Sequence, residues 1–261
     1  MDAYFEPITP GRYRPTSFSG GAWQADEIHM SPLGGLIVHE MDRHRASTGS
    51  GDVKELGRIS FDILGFLAAD VCEIAVETIR PGRTIELLEA TVTIAGRTAV
   101  LARAWFIATT DTTAVAGGDT APLATPETAS AWSMTDTWPG GYVASLEMRT
   151  VGGPPQPGRT SAWLRSDMAL VAGQPSSAHA SFIALVDTAN GVAVRQSPDE
   201  WMFPNLDLTI HLHRQPTGRW VGLDTTVTFG PAGHGLTSSV LHDESGPIGR
   251  AEQILTVRPL P

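Results

Sequence analysis

Asn205-Leu206-Asp207-Leu208-Thr209-Ile210-His211-Leu212-His213-Arg214 alternates apolar and polar side chains without a break. Successive side chains of a strand point to opposite faces. The pattern therefore predicts an apolar face of Leu206, Leu208, Ile210 and Leu212, and a polar face of Asp207, Thr209, His211 and His213. An ordinary half-buried strand needs only one or two such polar groups, so this one is a candidate carrier of chemistry. Upstream, Ser176 or Ser177 opens a predicted helix that runs to about Asn190, with Phe182, Ile183, Leu185 and Val186 apolar. Downstream, strands are predicted over 220–229, 235–243 and 248–257. Their separators are the turn-forming Pro231-Ala232-Gly233 and Glu244-Ser245-Gly246.

The first half of the chain repeats this order. Ser31 is the expected cap of a helix over about 32–46, with Pro32 in its first turn. Leu33, Ile37 and Met41 recur at four-residue spacing. Arg43, His44 and Arg45 complement the dipole at its C-terminus, and Gly49 to Gly51 end it. Strands rich in Ile, Val, Thr and Phe follow over 58–66, 70–80, 84–94 and 98–108, with hairpin turns at Pro81-Gly82 and Ala95-Gly96. Further strands are predicted over 141–150 and 159–166. Thr109 to Ser130 is full of Thr, Ala, Gly and Pro without periodicity and reads as a flexible linker.

Helix plus antiparallel meander, met twice, is most simply an internal repeat of roughly 150 residues. A long helix wrapped by an antiparallel sheet is a hotdog. The expected class is α+β, a double hotdog, with units at 1–112 and 133–261 and a linker at 113–132.

Composition narrows the function classes. Hydrophobic residues make up 41% of the 261, enough for a sizeable core and against wholesale disorder. A formal net charge of −10 argues against a nucleic-acid partner. Cys72 is alone, which leaves no internal disulfide and no cysteine-rich zinc site. No run approaches the ~20 apolar residues of a membrane span. The acidic start Met1-Asp2-Ala3-Tyr4-Phe5-Glu6 lacks an apolar signal core, so a soluble, cytoplasmic protein is expected. His211 and His213 share a face, yet no Cys or carboxylate pattern completes a metal site. No Gly-x-Ser-x-Gly elbow appears, which argues against a serine hydrolase.

Asp187 stands out within Ala180-Ser181-Phe182-Ile183-Ala184-Leu185-Val186-Asp187. A carboxylate late in an apolar helix opposes the helix dipole, as functional residues often do. Taken alone, it reads more readily as a surface residue of the last turn or a turn residue before Gly191. Gln253, on the last strand, is either a holder of water or of a carbonyl, or a plain solvent-facing residue.

A resemblance adds to this. Gly34-Gly35-Leu36, Val76-Glu77-Thr78-Ile79-Arg80-Pro81-Gly82-Arg83, Leu206-Asp207, His211-Leu212-His213-Arg214, Trp220, Gly246 and Ala251-Glu252-Gln253 occur in the order seen in acyl-CoA thioesterase II proteins. The chain resembles that family over roughly residues 20 to 258. The resemblance implies a double hotdog that hydrolyses acyl-CoA thioesters without cofactor or metal. It also implies a site in which a helix Asp, a Thr or Ser at the start of the next strand, and a Gln on the last strand orient water. By position these fall on Asp187, Asn205 and Gln253. Asn205 is a departure, an amide in place of a hydroxyl, and Thr209 is the substitute if the register differs. Backbone N–H groups of Gly34 and Gly35 are the oxyanion or substrate-binding candidate, with helix packing an equal alternative. Acyl-CoA is the expected partner, and association through the sheets into a homo-oligomer is the expected assembly. A non-catalytic acyl-CoA or lipid-like binder on the same fold is the alternative function. A hotdog hydratase fits less well, because Asp187-Thr188-Ala189-Asn190 is followed by no His until His211.

Overall fold

The computed structural model describes residues 2–49 and 54–260. The first half comprises β1 (Ala3–Thr9), β2 (Arg12–Pro15), α1 (Met30–Thr48), β3 (Lys54–Ile63), β4 (Cys72–Arg80), β5 (Ile85–Ile94) and β6 (Arg97–Ala108). The second comprises β7 (Ser130–Trp132), α2 (Gly141–Ala144), β8 (Leu146–Gln156), β9 (Arg159–Ser166), β10 (Ala169–Val171), α3 (Ala178–Val186) and α4 (Ala189–Val192). It continues through β11 (Trp201–Met202), β12 (Asp207–Leu212), β13 (Val221–Phe229), β14 (His234–Asp243), β15 (Gly246–Thr256) and β16 (Arg258–Pro259).

Fourteen strands of the described residues form one sheet, in the order β10-β1-β2-β4-β5-β6-β3-β12-β15-β14-β13-β9-β8-β7. Outward from its centre, β3-β6-β5-β4 of the first half matches β12-β15-β14-β13 of the second, so in each half the first meander strand lies innermost and the fourth pairs beside it; at the outer edge β10, from the second half, pairs with β1. The innermost strands, β3 and β12, pair antiparallel with Leu208 opposite Phe61 and Ile210 opposite Ile59. Those four side chains are buried, and their pairing fuses the two halves through one apolar seam. The chain is a double hotdog.

The helices occupy the inside of the sheet and pack on each other, with α1 against β4 and β5, and α3 against β13. Leu33, Leu36, Ile37, Val38 and Met41 of α1 are all fully buried. Residues 30–41 are buried all round while Arg43 and 46–48 are exposed, so only the last turns of α1 need a polar face, and each buried apolar side chain contributes about 1.5–3 kcal/mol. Gly35 permits the close helix contact. A Cβ there would lie 2.5 Å from the Ala184 Cβ and 2.8 Å from the Ala180 carbonyl oxygen.

Several local expectations needed correction. The α1 cap is His29, whose Nδ1 accepts from the Ser31 N–H, so the helix begins before Ser31. At the other end Gly49 is the left-handed C-cap, with φ 72°; Gly51 lies outside the described residues. The second helix does not run unbroken to Asn190, because α3 stops at Val186 and α4 starts at Ala189. Gly141 opens a helical turn rather than a strand, since its Cα packs directly on the Ser17 carbonyl, 2.0 Å from where a Cβ would be. The β1–β2 hairpin had no clear sequence signal, yet Tyr4, Phe5 and Tyr13 are buried in the core. The Ala95-Gly96 hairpin is as expected, with φ 49° and 74° in a tight turn. Between Ala108 and Ser130 the chain makes only short turns. Its later part is tied down by Trp163 Nε1 donating to the Ala124 carbonyl and Arg149 donating to that of Pro126, each at 2.8 Å.

Candidate active site

Asp187 caps the C-terminus of α3, where the helix breaks. The break turns its carboxylate inward; the residue is 6% exposed. Two amides hold one oxygen. Asn205 Nδ2 and Gln253 Nε2 each donate to Asp187 Oδ1 at 2.8 Å. The three residues, 18 and 48 positions apart in sequence, thus meet at one atom. A flipped Gln253 would set two acceptors together, so the carboxylate dictates the amide orientation. Gln253 Oε1 is left as a buried acceptor without a protein partner among the described residues.

Asn205 reaches Asp187 through an irregularity in the strand. Asn205 bridges Leu255, whereas Thr209 pairs with Glu252. Four steps along this strand therefore match three along β15, which is one extra residue and a bulge. A bulge reverses the in-out parity on its two sides. Asn205 points in, Leu206 becomes exposed, and Leu208, Ile210 and Leu212 point in again. The alternation thus misplaces Leu206, predicted to be on the inner face. The displaced Ile254 N–H is taken up by Asp207 Oδ1 at 2.7 Å, and Asn205 Nδ2 also donates to the Asp207 carbonyl at 3.0 Å. Thr209 lies beyond the bulge on the outer face and cannot substitute for Asn205.

The structure also moves the oxyanion candidate. Gly34 and Gly35 are the fifth and sixth residues of α1. The first four N–H groups of a helix lack intrahelical partners, and these two lie past them. They face Phe61, Ile183 and α3, not the cavity. The N-terminal end of α1 is instead His29, whose backbone N–H donates to the Ser19 carbonyl, and Met30; both residues line the cavity that also takes in Asp187. His29 Nδ1 is 3.8 Å from Asp187 Oδ2. The His29 ring stacks on Tyr142 with centroids 4.3 Å apart. Tyr142 Oη and Thr188 Oγ1 are hydrogen-bonded at 2.6 Å, and Ser31 Oγ lies 3.2 Å from Thr188 Oγ1. This buried hydroxyl chain locks the end of α1 to the break after α3.

The cavity holds about 410 Å³. Trp23, Phe66, Trp138, Met30, Met134 and Met202 line it together with the polar Gln24, Glu27, Asp187, Asn190, Asn205 and Arg258, whereas Gln253 sits behind Asp187 and is not part of the lining. An apolar pocket with a few convergent polar groups is the usual form of a small-molecule site. Burial sets the electrostatics. It pushes the Asp187 carboxyl up from 3.8 to about 6, against the opposing pull of the Asn205 and Gln253 amides. It also pushes the His29 imidazole down to about 3. A carboxylate poised near neutrality beside a neutral imidazole can accept a proton from water.

Sequence reading missed His29, Trp23, Phe66 and Trp138. His29 left one weak signal, its place just before Ser31-Pro32 at a helix start. The aromatic residues left none, because they come from separate segments. His211 and His213 lie exposed on the outer face, and among the described residues no group of three His, Cys, Asp or Glu side chains could hold a metal.

Family comparison places this arrangement. Residues 20–107 match the model of the acyl-CoA thioesterase N-terminal domain, and residues 126–257 that of the acyl-CoA thioesterase C-terminal domain. The chain belongs to the acyl-CoA thioesterase family. Its fold is shared with an acyl-CoA thioesterase II, TesB2, from Mycobacterium marinum, at 16% identity, 98% and 95% coverage of the two chains and a TM-score of 0.65. A tesB protein from Mycobacterium avium subs paratuberculosis matches at 16% identity, 98% and 96% coverage and a TM-score of 0.68. A hotdog-fold protein of unknown function from Alicyclobacillus acidocaldarius is similar at 12% identity, 98% and 96% coverage and a TM-score of 0.75. No curated protein gives a significant sequence match. Among the described residues no helix of this family member is long and apolar enough to cross a membrane.

Proposed function

We propose that the protein hydrolyses acyl-CoA thioesters, with Asp187 as the general base and no metal. One observation carries the reading. Asp187 is a buried carboxylate with Oδ1 tied by two amides, while Oδ2 has no hydrogen-bond donor among the described residues and the residue lines a largely apolar cavity. Oδ2 takes a proton from water as the water oxygen attacks the thioester carbonyl carbon. The C–O bond forms, the carbonyl becomes an oxyanion, and the carbon–sulfur bond then breaks. The acid and the CoA thiolate result, and the thiolate takes the proton from Asp187. Asn205 and Gln253 set the carboxylate's rotamer through their bonds to Oδ1. The apolar walls receive the acyl chain. Asn205 keeps the donor that a hydroxyl would supply, which supports the catalytic reading over a non-catalytic binder. We also take 1–112 and 133–261 as the two hotdog units, joined by 113–132.

The test is release of CoA, followed with a thiol reagent, from short, long and aromatic acyl-CoAs. Turnover by the wild type and a loss of roughly 10²-fold or more in Asp187→Asn are expected. Absence of turnover on every acyl-CoA, or full activity in Asp187→Asn, would overturn the reading.

A further inference from the structure

His29 has a fixed proton position. Its Nδ1 accepts from the Ser31 N–H at 3.1 Å. A neutral imidazole carries one donor and one acceptor nitrogen, so the helix cap places the proton on Nε2. The ring is held against Tyr142, with centroids 4.3 Å apart and the planes tilted by 34°. Asp187 Oδ2, 3.8 Å from Nδ1, is beyond hydrogen-bond length and meets a lone pair, not a proton. His29 therefore cannot serve as the partner of a His–Asp relay in this arrangement.

Nε2 is the open end of the ring. Among the described residues no protein group hydrogen-bonds it, and it is not among the fully buried unpartnered atoms. The side chain is 13% exposed and lines the same cavity as Asp187. Burial keeps the imidazole neutral down to about pH 3. The result is a permanent, oriented N–H donor beside the base, at the positive end of α1.

We propose that His29 is a catalytic hydrogen-bond donor whose Nε2–H binds the thioester carbonyl oxygen and the oxyanion that forms there. This rests on the thioesterase reading above and adds the group that receives the developing charge. A neutral donor suits that task. It loses no proton to the oxyanion and needs no counter-charge in an apolar cavity. Asp187 works on the water and His29 on the carbonyl, and the two meet only at the reacting carbon.

The test uses His29→Ser and His29→Asn. Both residues are strong helix caps and can still accept from the Ser31 N–H, so α1 keeps its start. Serine has no donor that reaches as far, whereas the asparagine amide still carries N–H groups. In His29→Ser, kcat should fall roughly 10²–10³-fold with KM changed only a few-fold, the scale for loss of one oxyanion donor. His29→Asn should retain more activity than His29→Ser. A ketone analogue of acyl-CoA, with CH₂ in place of sulfur, supplies a spectroscopic readout. Its carbonyl stretch should shift to lower frequency on binding the wild type, and the shift should vanish in His29→Ser. Thermal unfolding of the variants should stay within a few degrees of wild type, which separates donation from capping.

Three results would overturn the proposal: kcat of His29→Ser within about threefold of wild type, an unchanged carbonyl shift in that variant, or nitrogen NMR shifts that place the proton on Nδ1. If Asp187→Asn is dead and His29→Ser is not, this inference alone fails. If the folded wild type releases no CoA, the thioesterase reading fails and takes this one with it.

Discussion

Asp187→Asn should yield a protein that is inactive yet more stable at neutral pH. The native carboxyl titrates at about 6, up from 3.8, because burial outweighs the two amide donors. The folded state thus holds this proton more tightly than the unfolded chain. Between about pH 4 and pH 6 the unfolded chain releases the proton and the folded protein keeps it, so stability falls as pH rises. Above about pH 6 the full cost is present, and below about pH 4 it is absent. A shift of that size, at 1.36 kcal/mol per unit, corresponds to about 3 kcal/mol. Asparagine has the same shape, and its Oδ1 can accept from both Asn205 and Gln253. Its amide then faces His29 Nδ1 at the former Oδ2 position, 3.8 Å away, too far to satisfy it fully. A net gain of roughly 1–3 kcal/mol follows at pH 8, or several degrees in Tm for a chain of this size. Paired thermal melts of wild type and variant at pH 4, 6 and 8 measure it. The Tm difference should be largest at pH 8 and shrink towards zero at pH 4. A difference that is negative at pH 8, or independent of pH, would refute the buried-charge argument and with it the poised base.

The same titration governs catalysis. Log kcat/KM should rise with unit slope below about pH 6 and level off above, since the base must be ionised and His29 titrates far lower; a rate independent of pH from 4.5 to 8 would exclude Asp187 as base. Gly35→Ala should destabilise by about 1–3 kcal/mol, read by urea unfolding, because the new methyl meets Ala184 and the Ala180 carbonyl. Gly34→Ala, whose Cβ would find its nearest atoms at 3.6–3.7 Å, should be neutral or stabilising by up to about 1 kcal/mol; equal destabilisation by both would contradict the helix-contact role of Gly35. Asn205→Thr should keep turnover within about tenfold, since a hydroxyl can still donate to Asp187 Oδ1. It should lose about 1 kcal/mol with the bond to the Asp207 carbonyl, and complete inactivity would show that the amide itself is required.

Much of the fold was legible because its signals are local. The alternation in β12, the hairpin turns and the apolar helices each depend on neighbours within a few residues. Their repeated order was enough to read a double hotdog before any contact was known. The candidate site was legible only at Asp187, Asn205 and Gln253, and through resemblance, since each of these residues alone is unremarkable. What local pattern could not carry was the bulge after Asn205. One extra residue in β12's approach reverses parity, and only pairing with β15 shows it. The same holds for Leu206, which alternation places inside and the sheet places outside, and for Gly35, whose neighbour Ala184 lies on another helix.

The sequence by itself determined the main helices and meander strands, their order and the repeat, because backbone preference and side-chain periodicity act over single turns and pleats. Tertiary structure alone decided which groups share the cavity and in what state of charge. Burial raises the Asp187 carboxyl and lowers the His29 imidazole, and burial is a property of everything packed around a residue rather than of the residues beside it in the chain.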